Sequence, residues 1–192
     1  NARHVVTATG TDVTALLDGF IIKAGHASGS QVAGMPDPDP PLSGAGAYIG
    51  DGSPKFVGCT FLSNIANRKG GAVYITNGSP SFTNCVLSDN SAGSYGGGVY
   101  MEGGSPTFTG CTFASNDATE YGGGVYNTGG KPTLNDCVFT GNTAYLAGGG
   151  MYSAGSTSPG TTLVGCSFSD NTARTGAGVA LLPVITGTPP NT

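Results

Sequence analysis

The sequence carries little charge. Seven basic and eleven acidic residues make 9% of 192, where an ordinary globular domain has about 25%. The net charge is −4 at pH 7, which argues against nucleic acid or an anionic membrane as partner, because phosphate recognition needs a basic face. No apolar run approaches the roughly 18 residues a membrane helix requires, so no membrane span is expected. No segment carries an apolar helical stripe of useful length. The 35 glycines and 12 prolines exclude a helical bundle, since each interior Gly costs a helix about 1 kcal/mol. The chain opens at Asn1 with neither a basic stretch nor an apolar leader segment, so either a leader has been removed or the sequence belongs to something longer. Hydrophobic residues still make up 38%. That suffices for a core, and the length suits one domain.

What fills the chain is a repeat. Cysteines stand at Cys59, Cys85, Cys111, Cys137 and Cys166, at one constant interval that lengthens only before the last. Around them recur CTFLSNIANRKGGAVY, CVLSDNSAGSYGGGVY, CTFASNDATEYGGGVY, CVFTGNTAYLAGGGMY and CSFSDNTARTGAGVA. The longer last interval falls in a Gly/Ser/Pro-rich turn, where added length costs little. A degenerate copy precedes them: Leu17, Phe20, Ile22, Gly25 and Ala27 take the slots of Phe56, Cys59, Phe61, Asn64 and Ala66.

Apolar residues alternate with period two in short runs bounded by Gly, Pro and Asn, which predicts strands. Strands recurring at intervals of about 26 residues, without intervening helix, suit a solenoid whose coils stack in register. Three inward columns follow, led by Phe56, Phe61 and Val73 and repeated in each later unit. A column of Asn64, Asn90, Asn116, Asn142 and Asn171 is expected to bond from coil to coil. A neighbouring Ala column marks a tight corner. The predicted fold is all-β, a right-handed parallel β-helix of about six coils of about 26 residues, the hand following the preference of parallel crossovers. One domain covers residues 1–192, with a loop insertion at 28–43 and a C-terminal edge or cap segment at 181–192.

The F-x-x-N and G-G-[AG]-[VM]-Y pattern over residues 17–180 resembles the right-handed β-helix repeats of bacterial surface proteins. It is similar in style to those of the chlamydial polymorphic outer membrane proteins. The resemblance implies a secreted or cell-surface location and a role in adhesion or display, usually within a larger protein.

The five cysteines are expected as free thiols buried like small hydrophobes. Metal sites want CxxC or His partners, which are missing here, and in-register Cβ vectors oppose the disulfide torsion. His4 and His26 share no column and are expected at the surface. Asp89 and Asp170 share a column three coils apart, and Asp117 and Asp136 lie elsewhere, so the paired carboxylates of glycoside hydrolysis are not visible. No enzyme activity, cofactor or metal is expected, although Asp37 and Asp39 of the insertion could touch calcium.

Tyr48, Tyr74, Tyr100, Tyr126 and Tyr152 each follow an inward residue and so point outward. Tyr95 and Tyr121 form a second short column. Two readings stand: a stability ladder of stacked rings, or a contact strip for a protein or a glycan. The start of the chain offers no capping helix and nothing after Arg174 is charged, so the ends read three ways: cut edges of a longer solenoid, a C-terminal stretch that folds back as its own cap, or faces that stack head to tail. The preferred reading is a non-enzymatic structural or adhesive subunit that stacks head to tail with itself, or meets a cell-surface protein or glycan. The runner-up is a carbohydrate-binding or polysaccharide-processing module.

Overall fold

The structure is a computed structural model, and it describes residues 4–28, 42–154 and 160–182. Its elements are short parallel strands in four sheets that run the length of a solenoid, one sequence repeat to each coil. Sheet I holds Val6–Thr9, Ala47–Gly50, Val73–Ile75, Val99–Met101, Val125–Asn127, Met151–Ser153 and Val179–Leu181. Sheet II has six strands, from Leu16–Asp18 to Thr162–Val164. Sheet III has six, from Ile21–Lys23 to Ser167–Ser169. Sheet IV has five two-residue strands, from His26–Ala27 to Thr143–Ala144.

Every strand pairs in register with its equivalent one coil away. Phe82 lies between Phe56 and Phe108, Leu87 between Phe61 and Phe113, and Val99 between Val73 and Val125. The degenerate first coil joins the same scheme, with Leu17 on Phe56, Ile22 on Phe61 and Ala27 on Ala66. Such short strands suffice because each coil needs one inward side chain in sheets II and III and two in sheet I, as with Val99 and Met101. These inward rings stack: Phe56 on Phe82 at 4.8 Å, Phe82 on Phe108 at 4.7 Å and Phe113 on Phe139 at 4.5 Å between centroids. All are fully buried, each contributing roughly 1.5–3 kcal/mol of hydrophobic stabilisation.

Corners between sheets are made by single residues with left-handed backbone. One such column is Gly58, Asn84, Gly110, Asp136 and Gly165; another is Ala24, Ser63, Asp89, Ser115, Gly141 and Asp170. The first Gly of each Gly-rich run, Gly70, Gly96, Gly122 and Gly148, forms a third. Asn and Asp tolerate this region because their short side chains bond locally.

The Asn column closes its own hydrogen bonds. Asn116 Nδ2 donates to Leu87 O (2.9 Å) and to Asn142 Oδ1 (2.9 Å), and Asn116 N donates to the same Oδ1 (3.0 Å). Asn64, Asn90 and Asn142 repeat the arrangement. The Ala column is buried at Ala27, Ala66, Ala92, Ala118 and Ala144, while Ala173 in the last coil is half-exposed. Of the insertion expected at 28–43, residues 29–41 lie outside the described residues, Asp37 and Asp39 among them. Of the 181–192 segment, only Leu181 and Leu182 are described; Leu181 ends the last strand of sheet I.

Candidate functional site: the tyrosine face of sheet I

Alternation along each strand of sheet I turns Val73, Val99 and Val125 inward and the next residue, Tyr, outward. The rings then stack along the rod: Tyr48 on Tyr74 at 5.7 Å, Tyr74 on Tyr100 at 5.3 Å, Tyr100 on Tyr126 at 5.1 Å and Tyr126 on Tyr152 at 5.2 Å. Tyr74 and Tyr100 are within 3° of parallel, and Tyr100 and Tyr126 within 2°.

This column is not an open strip. Tyr74, Tyr100 and Tyr152 are buried, at 7%, 4% and 8% exposure, and Tyr48 and Tyr126 are half-buried. The cover is the corner column Ser43, Lys69, Tyr95, Tyr121 and Ala147, whose members bridge from coil to coil. The Tyr95 ring lies 5.0 Å from Tyr126, and that of Tyr121 lies 4.8 Å from Tyr152. The expectation of an exposed contact strip is corrected accordingly: outward from the strand is not outward to solvent, because the preceding turn folds over the rings.

Lys69 and Glu102 close the middle of the face. Lys69 Nζ stands 4.6 Å over the Tyr100 ring and 2.8 Å from Glu102 Oε1. Burial disfavours the Glu102 carboxylate, but hydrogen bonds from Lys69 and Tyr74 and the Lys69 charge outweigh it, holding the group below its ordinary range. Burial, and then the charge of Glu102, pushes the Tyr100 phenol far above its usual range. The signal for Lys69 was available in the sequence, since it stands one repeat before Tyr95 in the same column. His4 is half-buried rather than at the surface. Its ring stacks on Tyr48 at 5.5 Å, and its Nδ1 lies 2.9 Å from Gly44 O. His26 is exposed as expected.

Residues 20–182 match the family model described as the right handed beta helix region. The chain belongs to the right-handed β-helix family. Searches of curated proteins and of solved structures give no significant match.

The cysteine column of this β-helix runs inside it. Cys59, Cys85, Cys111 and Cys137 are fully buried free thiols, and Cys166 is a half-exposed one. Each thiol points at main-chain carbonyls, Cys85 Sγ at Phe56 O and Thr83 O, both 3.5 Å. Burial pushes the Cys59 and Cys166 thiols up, and hydrogen bonds with Cys137 and Cys85, with burial, do the same to Cys111. These three, held protonated, are poor nucleophiles and poor ligands, while hydrogen bonds with Cys111 pull Cys85 and Cys137 down. Asp89 and Asp170 are exposed on one corner column three coils apart, Asp136 is exposed at another corner, and Asp117 is exposed on a strand of sheet IV. Among the described residues no three His, Cys, Asp or Glu side chains gather as a metal site, and no helix is long and apolar enough to cross a membrane.

Proposed function

We propose that this β-helix is a non-enzymatic structural or adhesive element of a secreted or cell-surface assembly, extended by end-to-end association of its own copies. One contrast carries the reading. Core columns sealed at 0% exposure in the middle coils reach the last described coil as half-exposed Leu163, Cys166 and Phe168. In the first coil the cysteine column opens at Phe20, 59% exposed, and the Phe56 column at half-buried Leu17. Sheet edges of this kind pair with further strands unless guarded, and repeat proteins keep such ends soluble with polar caps. The resemblance to bacterial surface repeats supports the extracellular setting. The carbohydrate reading gains no support from the tyrosine face, because its ring faces are occupied by neighbouring rings. Light scattering and negative-stain microscopy over a concentration series test the proposal. Rods whose lengths are multiples of one subunit are expected; single subunits at every concentration would overturn it.

A further inference from the structure

The cysteine column repeats one posture from coil to coil. Cys137 Sγ lies 3.6 Å from Phe108 O in the preceding coil and 3.4 Å from Asn135 O, two residues back. Cys166 Sγ lies 3.4 Å from Leu134 O and 3.6 Å from Val164 O, the equivalent pair of carbonyls. Equivalent postures put the two sulfurs one strand spacing apart, about 4.8 Å, with their Cβ–Sγ bonds side by side. The adjoining strands hold this register: Ser167 pairs with Val138, and its N–H donates to Cys137 O (2.9 Å). Cys137 is fully buried, and Cys166, in the last described coil, is half-exposed.

That spacing is too wide for a disulfide, whose sulfurs stand about 2.05 Å apart and whose Cβ atoms approach to about 3.8 Å. It suits a different bridge. A metal–thiolate bond is about 2.3 Å long, as in zinc sites, so two such bonds in line span about 4.6 Å. Side-by-side Cβ–Sγ bonds then meet the metal at the bent angle that sulfur prefers. We propose that Cys137 and Cys166 form a two-coordinate site for a soft monovalent cation of the copper(I) type, held in line between the two sulfurs. Thiolate sulfur selects ions of this class. Zinc fits poorly, because it asks for four ligands, and among the described residues no three His, Cys, Asp or Glu side chains gather.

Both thiols give up their protons as the ion enters. One S–H bond breaks at each sulfur, two sulfur–metal bonds form, and two protons leave to solvent. Burial holds Cys166 protonated and makes it a poor ligand for harder ions, but a soft ion bonds sulfur strongly enough to displace the proton. The loaded pair carries one negative charge. Main-chain hydrogen bonds from Cys111 to Cys137 and from Cys137 to Cys166 favour charge on these sulfurs, as donors to a charged group do. Entry is through the half-exposed Cys166. Cys59 and Cys85 have the same spacing, but both are sealed at 0% exposure, so the ion does not reach them in the folded chain.

Silver(I), which shares this chemistry and is stable in air, is titrated into the reduced full-length protein in chloride-free buffer. Bound metal and released protons are counted while circular dichroism follows the fold. One ion per folded chain is expected, with two protons released and an affinity that rises about a hundredfold per pH unit below the thiol range. X-ray absorption on the loaded protein should find two sulfur ligands. Cys166→Ala and Cys137→Ala should each lose the tight site, and Cys59→Ala should keep it. One proton per ion, or a Cys137→Ala variant that binds as tightly as the parent, would reduce the site to Cys166 alone and overturn the pairing. Three sulfur ligands, or silver taken up only as the fold is lost, would overturn it as well. Should Cys137→Ala fail to fold, the proton and sulfur counts on the unaltered protein decide.

Discussion

Asn90 donates from both its backbone N–H (3.1 Å) and its Nδ2 (2.9 Å) to one atom, Oδ1 of Asn116. Two buried donors thus depend on a single oxygen in the neighbouring coil. Asn116→Ala removes that acceptor and also strips Leu87 O of its donor. Each buried polar group left unpaired costs about 1–3 kcal/mol, so urea denaturation should register a loss of about 3 kcal/mol or more. Asn171→Ala orphans the donors of Asn142 in the same way, but beside a half-exposed site that water can reach, and should cost less.

Two glycine substitutions separate close approach from backbone conformation. A Cβ on Gly97 would collide with the carbonyl oxygens of Asp117 and Gly123 in the next coil. Main chain cannot step aside as a side-chain tip can, and overpacking of this kind costs roughly 1–3 kcal/mol or more. Gly141 has φ of +64° but meets nothing closer than 3.6 Å, and its column already tolerates Ala24, Ser63 and Asp89. Gly141→Ala should lose about 1 kcal/mol, the left-handed penalty alone. Thermal melting should rank Gly97→Ala as clearly the less stable protein.

Tyr100→Ala empties a site that is 4% exposed and faced by two parallel rings. Removing a buried aromatic costs about 3–5 kcal/mol, so this variant should show a markedly lower urea midpoint. A change in ligand binding with unchanged stability would instead describe an exposed strip.

Stability should fall in alkali. Thiols Cys59 and Cys166 are pushed above the ordinary 9.0, and phenols Tyr126 and Tyr152 above 10.0, first of all by burial. Above these ordinary values the unfolded chain releases protons that the folded chain retains, so the unfolded state gains. The contribution is complete below about pH 9 and is lost as pH rises through the folded-state values. Urea midpoints measured from about pH 8 to about pH 11 should be flat and then decline.

The register of this fold was legible to the residue, because a strict period leaves one way to stack Phe56, Phe82 and Phe108. Even Gly25, an unlikely partner for Asn64 by chemistry, was placed by spacing alone, and its N–H does donate to Asn64 Oδ1 (2.9 Å). The environment of the tyrosines was not legible. Period-two alternation tells which side of a strand Tyr100 leaves from, but the turn carrying Lys69 and Tyr95 decides whether that side is covered. Likewise, the column of Ser63, Asp89, Ser115 and Gly141 reads as mixed polar residues. Its common property is a backbone angle, which side-chain chemistry expresses only weakly. Cys166 departs from expectation because its column position describes a middle coil and it lies at an end; His4, which is in no column, is covered through its stacking on Tyr48.

Because the middle coils offer their successors equivalent rows of apolar side chains, Asn amides and carbonyls, the cross-section they build is independent of their number. Duplicating or deleting one repeat unit in the gene would lengthen or shorten the shaft by one strand spacing, about 4.8 Å, and leave both termini's chemistry untouched. The protein is in that sense a ruler, graduated in copies of a single sentence.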